Sequence, residues 1–297
     1  DRSRGLGDVY KRQVFILPFI IGLVVFTAIP FFTSLYLAFT KYNVLSDPKW
    51  VGLANFKEMF FEDELFWTSF KVTFKFALIQ VPVKLTVALL VAMVLARATR
   101  VTSFYRAAFY IPSLMGGSVA IALLWKQLFS PKGVINQILG FFGLPDDTAW
   151  LGNPKTALGT LIALGVWQFG SSMLIFLAAI KNIPSSYYEA AIVDGAGPVR
   201  RFFSITLPLL TPIIFFNLIN QVIGAFQAFN SSYLITKGKP LNTTLYYGVH
   251  LYNKAFNQFE MGYGSAMAWF MLLIIAFFTA LIFRSSSAWV YYESEGR

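Results

Sequence analysis

Ser186-Tyr187-Tyr188-Glu189-Ala190-Ala191-Ile192-Val193-Asp194-Gly195-Ala196-Gly197-Pro198, running on to Ile205-Thr206-Leu207-Pro208, reads as two helices joined by a glycine break. Ser186 and Glu189 have the spacing of a capping box, in which each side chain satisfies a backbone N–H that the first helical turn leaves unpaired. Gly195 is placed to take the positive φ that stops a helix. Pro198 suits the first turn of the next one, where its missing N–H costs nothing. Ala190 and Ala191 leave a smooth surface that another protein could approach closely. The stretch is therefore expected to be a rigid elbow, about residues 185–208.

On both sides of the elbow the chain becomes too apolar for water. Of 297 residues 57% are hydrophobic and only 13% charged, and the mean hydropathy is +0.61. That balance belongs to a protein covered mostly by lipid. A crossing takes about 20 apolar residues, and six stretches qualify. They are 14–40, 70–96, 107–125, 156–180, one beginning near Pro208 after a short surface helix from Phe202, and 261–283. The expected fold is all-α, with one six-span membrane domain over 14–283. The polar residues 1–13 are read as a disordered cytoplasmic tail and 284–297 as a second tail. In the loop 41–69, Trp50, Phe60, Phe61, Phe66 and Trp67 suit an amphipathic helix lying on the interface.

The positive charges orient these spans. With the N-terminus inside, the inner segments hold twelve lysines and arginines, the outer loops nine, and the second span three. The inner loop 97–106 carries Arg97, Arg100 and Arg106 with no acid, so both ends are expected in the cytoplasm. A net charge of +10 spread over short loops in this way is a topology signal and not a nucleic-acid face.

Several chemistries are excluded. There is no cysteine and only one histidine, His250, so thiolate chemistry and multi-histidine metal sites are absent. No phosphate-binding loop of the form GxxxxGK[ST] occurs; Gly238-Lys239 lacks the earlier glycine. All fourteen acids fall outside the expected spans, whereas ion-coupled carriers usually hold a carboxylate in the membrane. No nucleophile–base pair marks an enzyme. Transport therefore needs a motor on another chain, or the protein is a passive channel.

The elbow resembles the EAA loop of bacterial ABC importer permeases: EAA, three residues, G, nine residues, then I-x-L-P. Here that is Glu189-Ala190-Ala191, Gly195, then Ile205, Leu207 and Pro208, with every position matched. Ile16-Leu17-Pro18-Phe19, Trp50 to Phe56, Pro112, and Trp125 to Asn136 extend the likeness to MalF-type permeases of carbohydrate importers, over residues 14–283. The resemblance implies a type I importer permease of the bacterial inner membrane, not itself an enzyme. In it Glu189, Ala190, Ala191, Asp194 and Gly195 form a coupling helix seated on an ATPase. It further implies a second permease making a heterodimer, two ATP-binding subunits carrying the ATP and Mg, and an extracellular solute-binding protein. No cofactor is expected in this chain. A sugar, of oligosaccharide size, is the implied cargo, with glycerol phosphate or a polyol as the alternative and a secondary transporter or channel as the more distant one.

Sugar recognition needs hydrogen-bonding groups beside aromatic faces. Gln168, Phe169 and Ser172 in the fourth span, and Phe226, Gln227 and Asn230 in the fifth, combine these and are the candidate pathway. Helix packing explains such residues equally well, and for Ser172, Asn217, Asn220 and Gln221 it is the preferred reading. Lys84 falls near the middle of the second span, where insertion of a charge costs about 2.5–3.5 kcal/mol. It lies nine residues past Lys75, roughly 180° round a straight helix, with Pro82 between them. It is expected to face the pathway or a subunit contact. In the pathway it would suit an acidic, uronate-containing cargo.

Overall fold

The computed structural model describes residues 2–96 and 102–291, the first eleven of them by backbone alone. Arg97 and Arg100 of the loop expected to lie inside, and Glu293, Glu295 and Arg297, are outside the described residues. The chain opens with α1 (Arg2–Leu23), a π turn (Val24–Ala28) and α2 (Ile29–Ala38). The helix thus extends back through the segment expected to be a disordered tail. Next come a two-residue hairpin, β1 (Thr40–Lys41) and β2 (Lys49–Trp50), then α3 (Ala54–Phe61) and the 33-residue α4 (Glu64–Ala96). The single interfacial helix expected here is instead divided: Trp50 is on a strand, Phe60 and Phe61 are on α3, and Phe66 and Trp67 open α4.

The third expected span is not a straight rod. α5 (Thr102–Met115) and α6 (Val119–Leu128) meet at 104° across Gly116-Gly117-Ser118. α7 (Val134–Phe141) follows. The fourth span is α8 (Ala157–Trp167) and α9 (Gly170–Asn182), bent by 42° at Gln168-Phe169. The elbow is α10 (Ser185–Val193) and α11 (Pro198–Arg201). α11 passes through a π turn (Phe202–Thr206) into α12 (Leu207–Phe226) without a break. One 29-residue helix, Pro198–Phe226, therefore replaces the surface helix and separate span expected there. A π turn (Ser232–Thr236), α13 (Tyr247–Tyr252), another π turn (Asn253–Asn257) and α14 (Met261–Ser286) complete the order. Among the described residues, four helices are long and apolar enough to cross a membrane, and six spans result when each bent pair counts as one.

Packing divides the chain into two units. In the first (everything up to Asp63, with Leu251–Leu272) polar contacts do much of the tying. The buried Asn55 amide donates to the carbonyls of Ala38 and Thr40 at 2.8 and 2.9 Å. Lys254 pairs with Glu260 at 2.9 Å, and the Tyr263 hydroxyl donates to Asp63 at 2.6 Å. Partial burial pushes the Glu58 carboxyl up from its usual range, against the pull of Lys254 at 3.8 Å.

In the second unit (Glu64–His250 with Leu273 onward) α4 packs against α8, α9 and α12. Its buried face alternates bulk with small residues: Phe66, Phe76 and Leu85 with Ala77, Ala88 and Ala92. Small residues let helices approach closely where lipid removes the hydrophobic drive between them. Several of its buried polar groups are paired, which lowers the cost of burying them. Thr73 Oγ1 accepts the Tyr247 N–H at 2.7 Å. The Trp125 indole donates to the Thr160 carbonyl at 3.2 Å. The buried Asn136 amide donates to the carbonyls of Pro131 and Thr148, both at 2.9 Å, and accepts from the Trp150 indole at 2.6 Å, closing the loop around α7.

Candidate functional site

Three helix interruptions meet in the second unit. They are the Gly116-Gly117 bend, the Gln168-Phe169 bend, and the end of α12 at Phe226. A broken helix leaves carbonyls unpaired, and irregular backbone at membrane depth survives only where protein or a water-filled cavity meets it. Here the breaks satisfy one another. Gln168 Nε2 donates to the Gly116 carbonyl at 3.3 Å, and Asn230 Nδ2 to the Gly117 carbonyl at 3.4 Å. Ser113 Oγ donates to the Gln168 carbonyl and accepts the Ser171 N–H, both at 3.1 Å. Ser118 caps α6 by accepting from the Ile121 N–H.

Beside these breaks is a cavity of about 490 Å³. α4 presents Phe76, Gln80 and Lys84 to it, four residues apart and so on one helical face. The bends contribute Gly116, Gly117 and Gln168, and α12 with its exit contributes Gln221, Gln227, Phe229, Asn230 and Ser231. The wall thus holds five amides, one ammonium group and two aromatic rings, with no carboxylate. Each amide both donates and accepts, the requirement for binding hydroxyls. Among the described residues Lys84 makes no hydrogen bond or ion pair.

Of the candidate pathway residues, Lys84, Gln168, Gln227 and Asn230 line this cavity. Phe169, Ser172 and Phe226 do not. Phe169 packs on Phe109 at 5.8 Å between ring centres, and Phe226 lies between Phe74 and Phe278. Ser172 is buried and accepts from Gln221 Nε2 at 3.2 Å. Asn217 and Asn220 bond carbonyls of their own helix, whereas Gln221, read as packing, also reaches the cavity wall. Gln80 was not anticipated, although it stands one turn before Lys84. The Gly116-Gly117 pair inside an apolar run was the other available signal.

Gly170, directly after the second bend, sets how closely α9 approaches α5. A Cβ there would lie 2.3 Å from the Phe109 carbonyl oxygen and 2.7 Å from the Tyr110 Cα. Main chain cannot swing aside as a side-chain tip can, so the helices would have to separate. Gly170→Ala is expected to destabilise the protein by about 1–3 kcal/mol, read as a lower melting temperature of the purified complex. Unchanged melting would show that α5 and α9 are looser than this contact implies.

The elbow is the second feature of this unit. α10 starts at Ser185 with Pro184 as its N-cap and no side-chain cap bond, so the expected Ser186–Glu189 capping box does not form. Its end is as expected. Gly195 has φ +72°, its N–H bonds the Ile192 carbonyl at 3.0 Å, and the Ala196 N–H bonds the Ala191 carbonyl at 2.8 Å. This is a complete Schellman stop. Pro198 opens α11, as the sequence indicated. No residue of α10 is buried, and Ile192, Val193 and Val199 are 56%, 87% and 69% exposed. Glu189, Ala190 and Asp194 are also exposed, and Ala191 is half-buried. Against the elbow lies a groove of about 470 Å³ formed with Pro208, Leu209 and Tyr291.

Comparison with known proteins places these features in a family. Residues 84–290 match the family described as binding-protein-dependent transport system inner membrane component. A probable ABC transporter permease protein, YesP of Bacillus subtilis (strain 168), is 56% identical over 97% of this chain and 94% of its own. A probable permease protein for starch degradation products, AmyD of Thermoanaerobacterium thermosulfurigenes, is 33% identical over 89% of each chain. Among solved structures, a chain of the bacterial alginate ABC transporter, crystallised with its alginate pentasaccharide-bound periplasmic protein, superposes with a TM-score of 0.82. It is 22% identical over 95% of this chain and 96% of that one, so the fold is shared.

Proposed function

This chain belongs to the binding-protein-dependent transport system inner membrane component family, and from that premise we propose that it is one permease subunit of an ATP-driven sugar importer whose cargo is an acidic, uronate-containing oligosaccharide. The observation that carries the reading is a polar cavity and an unburied elbow at the two ends of one helix, Pro198–Phe226. A nine-residue helix with no buried residue gains little from its own propensity. Its exposed Ile192 and Val193 are what a protein partner would cover. That partner is an ATP-binding subunit, which carries the ATP and Mg; this chain has no cofactor of its own. A second permease, a second ATP-binding subunit and an extracellular solute-binding protein complete the assembly. The charge distribution supports a cytoplasmic position for both chain ends and the elbow.

The named cargoes of the relatives, starch degradation products and alginate, are properties of those proteins. Here the acidic cargo rests on Lys84. An unpaired ammonium group in a carboxylate-free wall is costly to bury and finds its counter-charge in a bound anion. At about 490 Å³ the cavity lies within the roughly 300–1,000 Å³ range of small-molecule sites. Glycerol phosphate would also answer the charge, but it would leave most of the five amides unused.

Because the chain has no cysteine, Ala190→Cys supplies a unique thiol. In the assembled transporter it is expected to crosslink to an ATP-binding subunit, with a yield that changes on adding ATP. A crosslink to lipid-phase neighbours alone would overturn the elbow's assignment.

A further inference from the structure

A separate groove of about 700 Å³ runs between α4 and α8. Its lining has two chemistries. Lys71 and Lys75, one turn apart on α4, and Lys155, two residues before α8, supply three ammonium groups. Val72, Ile79, Leu158 and Ile162 supply an apolar wall. No carboxylate lines the groove, and among the described residues none of the three ammonium groups is hydrogen-bonded or ion-paired. Lys84 is absent from it, so Lys75 and Lys84 serve different faces of α4, as their spacing indicates.

Depth separates the two chemistries as well. A 33-residue helix is about 50 Å long, against a hydrocarbon core of about 30 Å. Centred in the membrane, α4 projects roughly 10 Å at each end. Lys71 then sits about 10 Å from the start of the helix, at the boundary, with Lys75 one turn deeper and within snorkelling reach. Ile79 lies a further turn into the hydrocarbon. Lys155, just ahead of α8, belongs to the same boundary.

We propose that this groove is a binding site for one anionic phospholipid. The phosphate sits among Lys71, Lys75 and Lys155, and an acyl chain lies along Val72, Ile79, Leu158 and Ile162. Basic recesses between membrane helices suit such headgroups, and each lysine near the surface contributes to the attraction. An acidic sugar fits the charge but not the wall: Thr243 is the one hydroxyl side chain in the lining, and there is no amide. The central cavity, by contrast, is built of amides.

The whole transporter, reconstituted in nanodiscs of phosphatidylcholine mixed with phosphatidylglycerol, tests this. Native mass spectrometry should find one phosphatidylglycerol retained in preference to phosphatidylcholine. The triple variant Lys71→Gln, Lys75→Gln, Lys155→Gln should weaken that preference roughly 100-fold, from about 1 kcal/mol per lysine. The triple arginine variant should keep it, which separates charge from misfolding. No preference in the unaltered protein, or an undiminished one in the glutamine variant, overturns the site. Lysine-dependent binding of an oligogalacturonate in phosphatidylcholine alone would overturn it in favour of a sugar-gathering face. The outcome does not depend on the cargo, because the lipid is read with no sugar present.

Discussion

Gly195→Val is expected to lower ATP-driven uptake roughly ten- to hundredfold while leaving the protein inserted and assembled. Beyond its own chain neighbours no atom lies within 4 Å of where a Cβ would stand, so volume is not the obstacle. The obstacle is φ +72°, which a β-branched residue adopts only at a cost of about 1–3 kcal/mol. The elbow would unwind or re-aim instead, and α11 would leave α10 at another angle. Gly195→Asn separates conformation from bulk, since asparagine tolerates the left-handed region. It should retain most of the uptake that valine loses. Equal losses in both variants would mean that the glycine matters for something other than its backbone angle. Full activity in the valine variant would remove the elbow from the coupling path altogether.

Lys84→Gln should produce a selective loss. Hydrogen bonds to charged groups are worth about 1.5–3 kcal/mol. Uptake of an oligogalacturonate is therefore expected to fall roughly 10- to 150-fold. Uptake of a neutral oligosaccharide of the same length should stay near its starting level. Glutamine keeps a hydrogen-bonding group beside Gln80 and Gln168, so the wall remains polar and only the charge disappears. Lys84→Arg should preserve part of the acidic uptake. If acidic and neutral sugars lose equally, Lys84 holds the cavity's shape and not the cargo's charge.

These two residues show how unevenly the molecule could be read from its chain. The elbow was legible to the residue because its determinants are local: a positive-φ glycine and a proline in the first turn act within one stretch of backbone. The exception is the helix start, where Pro184 takes the cap position and leaves Ser186 and Glu189 inside α10. Apolar runs gave the number of spans but not their bends. Hydropathy measures solvent and is blind to direction, so Gly116-Gly117 passed inside an apparently continuous run. The same blindness hid the join between α11 and α12, where a charge-free stretch looked longer than one crossing needs. In the cavity, residues carrying charge or an amide at an interruption were found. Those sorted by their neighbours were not: Phe169 and Phe226 are aromatic like Phe76 and Phe229, and contact with Phe109, Phe74 and Phe278 turns them into packing.

The unbroken run Pro198–Phe226 has a mechanical consequence. At 29 residues it is about 43 Å long, with α10 hinged to one tip and Gln227 and Asn230 just past the other. A continuous helix carries displacement from one tip to the other, and its places to bend are the π turn at Phe202–Thr206 and Pro212. Tilted by about 5°, it swings its far tip roughly 4 Å sideways, more than the 3.4 Å that separates the Asn230 amide from the Gly117 carbonyl. A nudge delivered at the elbow tip would therefore unlatch the Asn230 contact directly, with no relay of side chains in between.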